Sequence, residues 1–238
     1  MITQFRKLIG RIIGEINMDI PIEHYYHEMG HSLFCLIFSD SFIYKRMHFD
    51  KETLMRVGDD AWGGAIHIQG IVEKKFESPS AYYIKLIIIA FAGGCAENYL
   101  SYDYSSIDKY VGNWIESPSR HMDTKRMSGD LELIIKPSAK RFLTDDHYPE
   151  FRKNVFRFIF NILHDEKVCT ILSFLSHDLH SRQNEIEEGS VIISLFNKSG
   201  LSEYVEECIA KIMEDFHASF DKYKSFDNFM KIILYSEA

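Results

Sequence analysis

Residues 21–38 read PIEHYYHEMGHSLFCLIF, and the rest of the chain is best understood from the five residues His27-Glu28-Met29-Gly30-His31 inside them. Asp19-Ile20-Pro21 is a helix start, because proline is tolerated in the first turn. Leu33, Phe34, Leu36 and Ile37 carry the helix to about Phe38, and Ser39-Asp40-Ser41 ends it. Residues four apart share a helical face, so His27 and His31 turn two imidazoles towards one point. Glu28 stands beside that point, where a carboxylate can act as base towards a metal-activated water. The pattern is HExxH, of which about 0.04 chance occurrences are expected in a chain of this composition. Two histidines four apart also occur as ordinary core or surface residues. The apolar flanks (Tyr25, Tyr26, Leu33, Phe34, Leu36, Ile37) instead give the buried setting a metal helix needs.

Imidazole plus carboxylate ligation suits zinc, and a hydrolytic site keeps one position open for water. One Zn2+ per chain is therefore the expected cofactor. The extended motif HExxHxxGxxH is excluded, since Phe34 stands where it needs glycine. Two carboxylates remain as third ligand: Glu97, in Ala92-Gly93-Gly94-Cys95-Ala96-Glu97, and Asp130, in Ser128-Gly129-Asp130-Leu131. Glu97 reads either as a ligand or as an acceptor fixing an imidazole tautomer. Asp130 follows Ser-Gly at a helix start, where an aspartate often does no more than meet the first-turn dipole. Gly93 and Gly94 read as a place where two helices approach closely.

Outward from the motif, Phe42-Ile43-Tyr44, Met47-His48-Phe49 and Gly63-Gly64-Ala65-Ile66-His67-Ile68 are strand-like, with a turn at Gly58-Asp59-Asp60. Ser78-Pro79-Ser80 opens a second helix, from Ala81 to about Leu100. Residues 101–126 are polar and aromatic and read as a long loop. From Glu150 the pattern is helical: Phe151–Leu163, Val168–Leu179, Ser190–Phe196, and Leu201 to the end. Residues 1–19 place Leu8, Ile9, Ile12, Ile13 and Ile16 on one face of an amphipathic helix, best packed on the protein body. The expected fold is mainly α with a small β-sheet or hairpin. The expected organisation is an N-terminal helix over 1–19, a catalytic domain over 20–197 and a helical extension over 198–238.

The 238 residues carry a formal net charge of -8 and are 46% hydrophobic, which fits a globular chain and disfavours phosphate backbones. Lys and Arg form no dense run, so nucleic acid is not an expected partner. Cys35, Cys95, Cys169 and Cys208 lie far apart without a CxxC pair, which excludes a cysteine-rich metal module and points to a reducing, cytoplasmic compartment. The longest uncharged apolar stretch, Leu86 to Ala96, falls short of the roughly 20 residues a bilayer span needs. No transmembrane span is expected.

The order HEMGH, a Gly-rich strand, a helix reading AFAGGCAENYL and then SGDLELI resembles the peptidase domain of the FtsH-type zinc metallopeptidases, AAA-type membrane proteases. That family shows HEAGH, a strand after a glycine, a helix with AGRAAE and a later Asp in a TGAxNDL segment. The stretch Glu187-Glu188-Gly189-Ser190-Val191-Ile192 resembles its closing segment, so the likeness covers about 20–196. Gly94 stands where the family has arginine, Ser-Gly-Asp is shorter than the family signature, and residues 101–126 look like an insertion. The chain has no GxxxxGK[ST] phosphate loop.

The resemblance implies a zincin helical domain standing without its ATPase, with zinc on His27, His31 and Asp130 and with Glu97 behind them. It implies Glu28 as catalytic base and Gly63–Ile68 as an edge strand pairing with an extended peptide, where the residues alone fit a plain structural hairpin equally well. The expected function is ATP-independent hydrolysis of unfolded or extended polypeptide. A homo-oligomer and a separate ATPase or adaptor stay open as partners. The rival is a non-catalytic, metal-binding interaction protein that keeps the fold; its function would be indifferent to Glu28.

Overall fold

The computed structural model describes residues 20–50, 63–70, 79–101, 130, 134–184 and 186–226. The amphipathic stretch 1–19, the turn at 58–60, nearly all of the loop 101–126 and the last twelve residues lie outside them. The chain is mainly helical with one small three-stranded antiparallel sheet.

Helix α1 (Ile22–Ile37) is preceded by Pro21, whose extended backbone sets the entry to the helix. It carries the HExxH residues and is buried almost throughout. Strand β1 (Phe42–Asp50) follows within a tight turn, and β2 (Gly63–Gly70) pairs with it antiparallel. The two strand-like pieces at 42–44 and 47–49 are one strand, interrupted between Tyr44 and Arg46 by a shift in register. That irregularity keeps Phe42, Met47 and Phe49 all on the core side despite the odd spacing.

Helix α2 (Pro79–Leu100) packs along α1, and this pair forms the centre of the protein. Leu33, Phe34, Ile84, Ile87 and Ile88 are fully buried there, each contributing about 1.5–3 kcal/mol by removal from water. Close approach is set by Gly30, where an added Cβ would stand 2.4 Å from the Ala92 carbonyl oxygen and 2.5 Å from Ala96 Cβ. By length and composition α2 could cross a bilayer, but 83% of its apolar window is buried inside the protein, as in a core helix. Its helical length exceeds the uncharged run at 86–96 because Lys85 and Glu97 are also buried in it.

The short helix α3 (Lys136–Ala139) leads to α4 (Tyr148–Leu163), α5 (Glu166–Arg182), strand β3 (Ile186–Glu188), α6 (Gly189–Lys198) and α7 (Leu201–Phe220). A 3-10 turn, Asp221–Phe226, closes the described chain. Asp165 caps α5 by accepting from Val168 N at 3.0 Å, and it also accepts the Tyr204 hydroxyl at 2.6 Å, which ties α7 to α5. At the other end of α5, Gln183 adopts a left-handed conformation (φ 51) and its Oε1 accepts from Ile20 N at 2.7 Å, anchoring the start of α1.

Strand β3 adds to β1 on the side opposite β2, giving the order β2-β1-β3. Gly189, the first residue of α6, lies against the β1 irregularity, where a Cβ would meet the Tyr44 carbonyl oxygen at 2.5 Å. The helix within 198–238 shares the central core: Phe216 lies 5.6 Å from Phe38 and 6.0 Å from Phe158, and Phe220 5.8 Å from Phe158, between ring centroids.

Candidate metal centre

His27, Glu28 and His31 lie on the buried face of α1 opposite α2, at 7%, 1% and 4% exposure. The imidazoles meet edge to face with centroids 4.7 Å apart, as the i, i+4 spacing requires. Each ring is held from behind by a different group. His27 Nδ1 lies 3.1 Å from Glu97 Oε2, near the end of α2. His31 Nδ1 donates to the Ile89 carbonyl oxygen, two turns earlier in α2, at 2.6 Å. With both Nδ1 atoms engaged, both Nε2 atoms are left to face the same space.

Asp130 enters that space from the far side. Its Oδ2 stands 3.3 Å from His27 Nε2 and 3.6 Å from His31 Nε2. One ligand atom from each of His27, His31 and Asp130 falls within 4.8 Å of the others, so the three residues could hold a metal ion. The donor chemistry fits: two nitrogens of fixed tautomer and one carboxylate, all largely buried. Glu97 is buried as well but hydrogen-bonds the outer nitrogen of His27 instead of joining the cluster. The structure thus brings Asp130 to the two Nε2 atoms and puts Glu97 behind one of them.

The charges couple strongly. Burial disfavours the charged form of His27, but hydrogen bonds to Asp130 and Glu97 outweigh it and raise its pKa to about 10. His31 is raised too: burial opposes its charge, and the nearby Asp130 carboxylate overcomes that. Asp130 moves the other way, since the two imidazoles overcome its own burial and hold it well below the usual carboxylate range. Without a metal ion, the carboxylates of Asp130 and Glu97 therefore favour the protonated form of His27. Glu28 is pushed up, first by burial, with the histidines pulling it partly back. Its Oε2 is buried without a hydrogen-bond partner.

Two features here had no signal in the sequence. Ser32 Oγ lies 2.7 Å from the Glu28 carbonyl oxygen and 3.1 Å from the Tyr44 hydroxyl. A carbonyl can only accept, so the Ser32 proton goes there and Tyr44 donates to Ser32. This joins β1 to the turn of α1 that carries Glu28. The other is the Ile89 carbonyl, a backbone group that no motif could reveal.

Of the strand Gly63–Ile68, the structure shows β2 packed against α1 and bonded to β1 along one edge, with no strand on its other edge among the described residues. His67 points away from the core on this strand. Comparison with protein-family models, with curated proteins and with solved structures found no match to this chain.

Proposed function

We propose that this protein is a zinc metalloendopeptidase with an FtsH-like peptidase fold, cutting extended polypeptide without ATP. The observation that carries the reading is the convergence of His27 Nε2, His31 Nε2 and Asp130 Oδ2 beside the buried Glu28, whose Oε2 has no hydrogen-bond partner. Zinc bonds of about 2.0–2.1 Å at a tetrahedral angle put two ligand atoms about 3.3–3.4 Å apart. The separations of 3.3 and 3.6 Å from Asp130 Oδ2 to the two imidazoles suit such a site. A zinc ion held there would supply a Lewis acid that polarises the scissile carbonyl and makes water acidic enough to attack near neutral pH.

The chain's own residues do the rest. His27 and His31 offer nitrogens whose tautomers are set by Glu97 and Ile89. Glu28 accepts a proton from the attacking water as its oxygen bonds to the carbonyl carbon, and hands that proton to the leaving amine as the C–N bond breaks. Its burial favours this task, because a carboxylate made more basic by desolvation holds a proton better in mid-reaction. The edge of β2 offers backbone groups to a peptide added as a further strand, which selects unfolded substrates over folded ones.

The test is Glu28→Gln. The variant should retain zinc and fold but leave casein uncut, because the amide matches the shape of the acid and cannot take the proton. Cleavage at the wild-type rate would remove Glu28 from the chemistry. Zinc binding without hydrolysis by the wild type would favour the non-catalytic interaction protein.

A further inference from the structure

The small residues of α2 do more than bring two helices together. Gly30, on α1, already accounts for the close approach, since a side chain there would collide with the α2 backbone at the Ala92 carbonyl. Gly93 faces something different. A Cβ built on it would lie 2.4 Å from His31 Nε2, 2.5 Å from His31 Cε1 and 2.7 Å from His27 Nε2. Every one of these atoms is the far end of an imidazole, and two are the nitrogens directed at Asp130. The hydrogen bond from His31 Nδ1 to Ile89 O, one turn before Gly93 on the same helix, requires the ring to lie close against α2. A hydrogen atom is all that fits between that ring and the helix.

We infer that Gly93 is a positioning residue of the metal centre: its missing side chain lets both imidazoles rest against α2 with their Nε2 atoms converging on Asp130. The inference rests on the metal reading above and adds a requirement that HExxH does not contain. The kind of clash decides what a substitution does. Side-chain ends can rotate away, whereas backbone cannot, so alanine at 93 displaces ligands while alanine at 30 separates helices.

The experiment compares wild type, Gly93→Ala and Gly30→Ala, measuring zinc affinity by chelator competition and thermal unfolding of the metal-free proteins. Gly93→Ala should unfold cooperatively, since alanine is the better helix former at that position. It should lose more than about 100-fold in zinc affinity, beyond the loss usual for a group that only supports a ligand. Gly30→Ala should lower the melting temperature of the metal-free protein.

Wild-type affinity in Gly93→Ala would overturn the inference while leaving the metal centre standing. A wild type that takes up no zinc would overturn both. If Gly93→Ala does not fold, adding His27→Ala and His31→Ala together should restore folding by removing both rings it strikes. Failure of that rescue would place the clash elsewhere and overturn the inference.

Discussion

Glu97 Oε2 lies 3.1 Å from His27 Nδ1, on the opposite side of the ring from Asp130, so a carboxylate fixes each nitrogen of one buried imidazole. The two acids are unequal because only Asp130 also reaches His31. Asp130→Ala should therefore cost far more zinc affinity than Glu97→Ala, for which about 10–100-fold is expected from the loss of a tautomer-fixing partner. Competitive titration of the two variants checks the order. An empty Glu97 variant beside a fully loaded Asp130 variant would reverse the assignment.

Proton release should accompany zinc uptake. The metal-free centre holds His27 protonated at pH 7, because its pKa is raised to about 10, and a metal ion must displace that proton. Apparent zinc affinity should rise with pH across the neutral range. Calorimetric titrations in buffers of different ionisation enthalpy should give different heats; identical heats would show that no proton leaves.

The same pair governs the stability of the metal-free protein. A raised histidine pKa contributes stability that is fully present below the unfolded value near 6.5 and is lost as pH rises through about 10. The lowered Asp130 contributes stability present above the ordinary carboxylate pKa and lost as pH falls through its folded value. Metal-free protein should melt highest between about pH 4 and 6.5 as far as these groups decide it. The His27→Ala variant should show a smaller fall on the alkaline side, the part that remains coming from the raised His31.

The helix read from Leu201 to the end was open to inspection in its apolar spacing, and the structure has it over Leu201–Phe220 before a 3-10 turn; its place in the core was not legible. Phe216 and Phe220 meet Phe38 and Phe158, partners far away in the chain. Phe216→Ala should destabilise the protein by about 3–5 kcal/mol. Urea unfolding measures it, and a loss below about 1 kcal/mol would make α7 a peripheral appendage.

Helices α1, α2 and α4 to α7 were legible because their apolar spacing and their Pro and Ser-Asp boundaries are local signals. So were the strand segments at 42–49 and 63–68 and the i, i+4 geometry of His27 and His31. Strand β3 was not legible: three residues, Ile186–Glu188, become a strand only by pairing with Arg46–His48. Nor could spacing assign Gly93, read from the sequence as a helix-packing glycine, because its neighbours are side chains from another helix. Asp130 and Glu97 stood as alternatives for the same reason. Their roles depend on which side of the His27 ring each reaches, a tertiary fact.

The peptide capture proposed along β2 would rest on backbone hydrogen bonding. Substrates carrying N-methyl groups on alternate backbone amides should be cut much more slowly than their unmethylated counterparts, with side chains unchanged. Equal rates in a peptide cleavage assay would remove β2 from substrate binding.

The most direct measurement is the metal content of the purified protein, taken by elemental analysis without added metal. One zinc per chain is the predicted result, falling to near zero in the His27→Ala/His31→Ala double variant. A chain that carries no zinc, or one whose zinc content is the same in the double variant, would contradict the account.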